Sequence, residues 1–141
     1  MLAGEFYHNI DQKGRMIMPV KFRDELGEKF VVTKGLDKCL FIFSLSEWEK
    51  LDKQLSELSL SKGRAIQRFF YGGMTECEVD KQGRILIPAN LREYAGLEKD
   101  AVIIGLNKRA EIWSKANWDI QNEQFIQNTD DVALQMEELG I

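Results

Sequence analysis

Six residues, Asp11, Gly14, Arg15, Pro19, Arg23 and Gly27, recur 69 positions later as Asp80, Gly83, Arg84, Pro88, Arg92 and Gly96. The apolar run Met16, Ile17, Met18 recurs with them as Ile85, Leu86, Ile87, and the only two prolines of the chain fill the same slot in both copies. With a shift of one residue the likeness continues: Gly35 to Lys38 matches Gly105 to Lys108, Ile42 to Ser44 matches Ile112 to Ser114, and Trp48 meets Trp118. Each half is therefore one supersecondary unit of about seventy residues, a size at which a chain struggles to bury a sufficient core alone. The repeat predicts two modules, residues 1–72 and 73–141, that share a core as one pseudo-twofold domain.

Within each copy the local signals agree. Phe6 to Ile10 and Thr75 to Val79 read as strands, and each leads into Asp-x-x-Gly-Arg, a turn in which Gly14 or Gly83 supplies the positive φ that reverses the chain. The apolar runs after the turns read as short strands. Pro19 and Pro88 then open short helices, and Gly27 and Gly96 sit where a left-handed stop belongs. Phe30 to Thr33 with Leu40 to Phe43, and Ala101 to Ile104 with Ala110 to Trp113, predict a second hairpin in each half. Ser46 and Glu49 have capping-box spacing before a helix that carries Trp48, Leu51, Leu55 and Leu58 on one face. Lys62 to Tyr71 predicts a further helix broken at Gly72 and Gly73; Ala116 to Phe125 and Asp130 to Leu139 predict the last two. The spacing of Phe41, Phe43, Trp48, Phe69, Phe70, Trp113, Trp118 and Phe125 assigns them to the core rather than to base stacking.

Composition narrows the function. Of 141 residues, 44% are hydrophobic and 30% charged, which describes a folded domain rather than a disordered or collagen-like chain. No apolar run reaches membrane-spanning length and the N-terminus lacks the pattern of a secretory signal, so a cytoplasmic protein without a membrane partner is expected. Cys39 and Cys77 stand apart and are read as reduced, half-buried strand residues. His8 is the only histidine, which leaves no His-rich metal site. General acid–base chemistry leans on His, on paired carboxylates or on an activated nucleophile. Here the repeated acids stand beside arginines, so no enzyme activity, no cofactor and no small-molecule substrate are expected.

The net charge of −4 conceals a segregation. From His8 to Arg23 there are four basic residues (Lys13, Arg15, Lys21, Arg23) against Asp11 alone, and from Asp80 to Arg92 three (Lys81, Arg84, Arg92) against Asp80 alone. From Ala116 to the end there are six acids and no Lys or Arg. The repeated turns form the basic pole that a phosphate backbone requires.

The pattern Asp-x-x-Gly-Arg, apolar, x, apolar, Pro, x, x, apolar, Arg resembles the AbrB/SpoVT class of swapped-hairpin DNA-binding modules, and two such modules in tandem are similar to the MraZ family. The resemblance covers nearly the whole chain, with the family's two Asp-x-x-x-Arg signatures on Asp11 to Arg15 and Asp80 to Arg84. It implies a mixed α/β fold, mainly β with peripheral helices, arranged as a pseudo-twofold double-hairpin β-barrel. It implies a sequence-specific repressor of the bacterial division and cell wall gene cluster, a nucleoid-associated homo-oligomeric ring that binds short direct repeats of double-stranded DNA in its own promoter.

Two readings stand for the charged residues. Arg15 and Arg84 are placed either to read guanine O6 and N7 with the guanidinium fork or to pair with Asp11 and Asp80; both roles are compatible if each Asp positions its Arg. Lys13 and Lys81 are backbone neutralisers or solvated turn residues. Lys21, Arg23 and Arg92, on the helices after the prolines, contact DNA or pair with nearby acids. Asp11, Gly14, Asp80 and Gly83 are positioning residues. The alternative function is a ring-forming scaffold in which the same Asp and Arg residues hold subunits together.

Overall fold

A computed structural model describes residues 1–141. The elements run β1 (Leu2–Asn9), β2 (Arg15–Ile17), α1 (Val20–Leu26), β3 (Lys29–Lys34), β4 (Leu40–Ser44), α2 (Leu45–Ser56), α3 (Leu60–Gly73), β5 (Thr75–Glu78), β6 (Arg84–Leu86), α4 (Ala89–Ala95), β7 (Asp100–Asn107), β8 (Arg109–Ser114), α5 (Lys115–Gln127) and α6 (Thr129–Leu139). The fold is mixed α/β and mostly antiparallel sheet, with helices around it. No helix is long and apolar enough to cross a membrane.

Six strands form one sheet in the order β1-β7-β8-β4-β3-β5, and β2 and β6 form a separate two-stranded ribbon. Exchanging every strand for its counterpart in the other half reverses this order without changing it, so the sequence repeat is a repeat of topology. The first strand of each half pairs in the other half: β1 lies against β7 and β5 against β3. The halves therefore exchange strands rather than stand side by side. β1 and β5 are the two edges of the sheet and no ladder joins them.

The exchange makes one core. Twenty buried residues form a single cluster, with Met16, Met18, Phe22 and Phe30 from one half packed with Ile85, Ile87, Leu91 and Ile103 from the other. Burying such side chains stabilises by about 1.5–3 kcal/mol each, and here neither half has enough of them without its twin. Phe6 meets Phe22 edge-on with ring centroids 5.2 Å apart. A smaller cluster (Cys39, Phe41, Val102, Ile104 and Trp113) lies outside it, with Phe43, Phe70 and Trp118 packed against it.

Local signals are met with shifts that have causes. Pro19 and Pro88 occupy the N-caps of α1 and α4, where φ of −54° and −57° suits proline and the missing N–H removes no helical bond. Gly96 is left-handed as expected, whereas Gly27 has a positive φ but an extended ψ of −177°. The cap of α2 is Ser44, whose hydroxyl accepts the N–H of Glu47; Ser46 lies inside the helix, because the chain turns directly out of β4. Gly72 and Gly73 belong to α3, and Gly73 lies so close to β3 that an added Cβ would stand 3.1 Å from the Lys34 nitrogen. Cys39 and Cys77 are free and fully buried, and Cys39 precedes β4 rather than belonging to it. Leu58 lies beyond the end of α2 and is exposed, and so is Phe125 on α5, which leaves the core the expectation gave them.

Candidate nucleic-acid interface

Each turn is built around its aspartate. Asp11 Oδ1 accepts the backbone N–H groups of Lys13 and Arg15, both at 2.9 Å, while Oδ2 accepts Arg15 Nε at 2.7 Å. In the second copy, Asp80 Oδ1 accepts the N–H of Gln82 at 2.9 Å and of Arg84 at 2.8 Å, and Oδ2 accepts Arg84 Nε at 3.0 Å. Gly14 and Gly83, with φ of +86° and +79°, let the chain close so that their N–H groups reach the aspartate carbonyls at 3.0 Å. One carboxylate thus fixes the loop with one oxygen and aims the guanidinium with the other.

These donors hold both carboxyls below their ordinary range. For Asp11 the backbone N–H of Arg15 is the largest cause, and for Asp80 that of Arg84. A depressed carboxylate pKa favours the folded turn above the unfolded value of 3.8, and that contribution is lost as the pH falls through the lower, folded value. Carboxyl 13C titration is expected to place Asp11 and Asp80 below the ordinary aspartate value of 3.8, with the Arg15 and Arg84 amide shifts moving at the same low pH. Amides that move at ordinary aspartate pH would contradict this geometry.

Directly after the turns, β2 and β6 pair with Arg15 opposite Leu86, Met16 opposite Ile85 and Ile17 opposite Arg84. Because side chains alternate, Met16 and Ile85 enter the core, and the other face presents Arg15, Ile17, Arg84 and Leu86. The two arginines stand on a diagonal, each beside an exposed aliphatic residue. Their Nε atoms are held by the aspartates, and about a third of each arginine side chain stays accessible on this face. Sequence reasoning missed Ile17 and Leu86; the alternation of the apolar run was the available signal. The two turns lie at opposite ends of the ribbon, with Lys13 and Lys81 exposed, and Lys21 is exposed on α1.

Arg23 and Arg92 reach across to the turn of the other half. Arg23 Nε donates to Met18 O at 2.9 Å, and its guanidinium lies against Gly83 in the turn of the other half, where an added Cβ would overlap Nη2. Arg92 Nε donates to Ile87 O at 3.0 Å and its guanidinium lies against Gly14, where an added Cβ would stand 2.7 Å from Cζ. Two ladder bonds run the same way, from Met18 N to Gly83 O and from Ile87 N to Gly14 O, each 2.9 Å. Each half therefore props the turn of the other.

No three His, Cys, Asp or Glu side chains are grouped to hold a metal ion. Burial pushes the Cys77 thiol up to about 11 and Cys39 higher still, so both are protonated at neutral pH.

The family model described as "MraZ protein, putative antitoxin-like" matches the chain twice, at residues 1–69 and 70–136. The chain belongs to the MraZ family. It is 54% identical over 147 aligned positions to the transcriptional regulator MraZ of Thermoanaerobacter sp. (strain X514), and 55% identical over 145 to that of Caldicellulosiruptor bescii, with all of both chains covered in each case. It is 52% identical to the MraZ transcriptional regulator of Halothermothrix orenii, again over the whole of both chains.

Proposed function

We propose that this MraZ chain is a sequence-specific DNA-binding transcriptional regulator and a repressor of the division and cell wall gene cluster. As a cytoplasmic, nucleoid-associated ring of subunits, it binds direct repeats in its promoter. The observation that carries the reading is the β2–β6 ribbon, which carries Arg15 and Arg84, each braced by its aspartate and partly accessible, on the face away from the core. A two-stranded ribbon fits the major groove of B-DNA, and a fork reads guanine O6 and N7 there, while an aliphatic neighbour such as Ile17 or Leu86 meets thymine methyls. Lys13, Lys81 and Lys21 surround the ribbon as phosphate neutralisers; Asp11, Asp80, Gly14, Gly83, Arg23 and Arg92 position it. The modules, residues 1–72 and 73–141, form one domain in this reading, a pseudo-twofold pair of double hairpins around the shared core.

The test is a mobility-shift titration of the protein on DNA from upstream of its own gene and on a shuffled duplex of equal length, each at two salt concentrations. Binding to the native duplex is expected to be tighter than to the shuffled one by about a thousandfold, and to weaken steeply with salt. Equal weak binding to both duplexes would overturn sequence-specific reading and leave the ribbon as an assembly surface.

A further inference from the structure

The counterpart of α3 in the second half is α6, and the two behave differently. α3 is packed down on the sheet, with Thr33 Oγ1 donating to the Phe70 carbonyl at 2.8 Å and the Tyr71 hydroxyl donating to Asp52 Oδ1 at 2.6 Å. α6 buries no residue, and only Val132 is half-covered. At 100° per residue, Asp130, Asp131, Leu134, Glu137 and Glu138 fall within an arc of about 120°, with Leu134 at its middle and Val132 on the opposite side. One face of α6 is therefore two pairs of carboxylates, two turns apart along the axis, with a leucine between them; Leu134 is 56% exposed.

The ribbon is its chemical complement. Arg15 and Arg84 stand on a diagonal of about 8 Å between strands, and the acid pairs of α6 are about 10 Å apart, within the reach of two arginine side chains. Between the arginines lie the exposed Ile17 and Leu86, 45% and 57% accessible, where Leu134 lies between the acids. We propose that the acidic face of α6 from one copy docks on the β2–β6 ribbon of another copy, Leu134 against Ile17 and Leu86, and excludes DNA from it. The exclusion rests on the DNA reading of the ribbon; the docking does not.

Two measurements separate these. The first is anisotropy of labelled full-length Arg15→Ala/Arg84→Ala, whose own ribbon is disabled and whose α6 is intact, titrated with unlabelled full-length protein at low salt. Saturable binding is expected, weakened at least tenfold by Arg15→Ala/Arg84→Ala in the unlabelled protein as well and severalfold by Leu134→Ala in the labelled one. Ile17→Ser/Leu86→Ser, which changes only exposed positions outside the turns, is expected to weaken it as well. No saturable binding, or equal affinity for these protein variants, overturns the docking whatever the protein does with DNA. The second is the affinity of the full chain for its upstream duplex. Leu134→Ala, which changes no charge, is expected to bind DNA about threefold more tightly than wild type. Asp130→Asn/Asp131→Asn/Glu137→Gln/Glu138→Gln is expected to exceed Glu49→Gln/Glu57→Gln/Glu76→Gln/Glu123→Gln, which removes as many acids elsewhere on the surface. Binding between chains without these gains overturns the competition alone, and failure of every variant to bind DNA overturns the DNA reading while the chain-to-chain result stands.

Discussion

Replacing Gly105 by alanine is expected to destabilise the protein by about 3 kcal/mol, lowering its thermal midpoint by roughly 10 °C. Gly105 lies in β7 directly opposite Gly4 of β1. A Cβ there would overlap the backbone nitrogen of Ala3 and stand 2.5 Å from the Leu2 carbonyl carbon and 2.7 Å from Ala3 Cα. A flexible side chain moves aside at small cost, but these are main-chain atoms of an edge strand, so the start of β1 must leave the sheet. Leu2, buried in the common core, would leave with it. Gly72→Ala is the matched control: open space surrounds the new methyl, and at a helical position alanine is favoured over glycine by up to about 1 kcal/mol. Thermal melts followed by circular dichroism measure both. An unchanged midpoint for Gly105→Ala would mean that β1 is not held in this register, and with it would go the strand exchange that joins the halves.

That exchange was not legible in the sequence. The repeat predicted a shared core, and the turns, prolines and apolar runs predicted strand, turn, strand and helix in each copy. Nothing local specifies that β1 pairs with β7 rather than with a strand of its own half, because the apolar alternation of either partner would satisfy it. The decision lies in long-range packing, where Gly4 faces Gly105 and lets the backbones of β1 and β7 approach. The cap of α2 was misplaced for a related reason: Ser44 and Ser46 are both acceptable caps, and only the end of β4 chooses between them. Phe125 was assigned to the core on helical spacing, but α5 is the last element to touch the sheet and its far end passes beyond it.

The candidate site was more readable than the fold around it. The aspartate, glycine and arginine of each turn keep their spacing in both copies, and local bonds between residues two to four apart build the loop, so sequence alone locates them. Arg23 and Arg92 show where such reading stops. They repeat as faithfully as Arg15 and Arg84 and carry the same charge, yet each reaches across to the turn of the other half. Repetition marks a residue that the symmetric fold requires, whether it faces solvent or props a backbone.

Removing both guanidinium forks of the ribbon separates these two kinds of arginine. Arg15→Ala/Arg84→Ala is expected to cost about 2–6 kcal/mol of binding to the upstream duplex, at 1–3 kcal/mol for each guanine contact, or at least a thirtyfold loss, while its melt barely moves. The reason is exposure: the Arg15–Asp11 and Arg84–Asp80 pairs lie at the surface, with about a third of each arginine side chain accessible, and such pairs add little to stability. Lys13→Ala and Lys81→Ala are expected to weaken native and shuffled duplexes alike and to make the salt dependence shallower. Arg23→Ala/Arg92→Ala is expected to do the reverse of the fork variant: the melt falls first, because two half-buried guanidiniums and their bonds to Met18 O and Ile87 O are lost, and DNA affinity falls with the turns they held. Melts and mobility shifts on the same four variants decide the matter. If the fork variant keeps wild-type affinity for the upstream duplex, the ribbon does not read DNA, and the braced arginines serve contacts between copies instead.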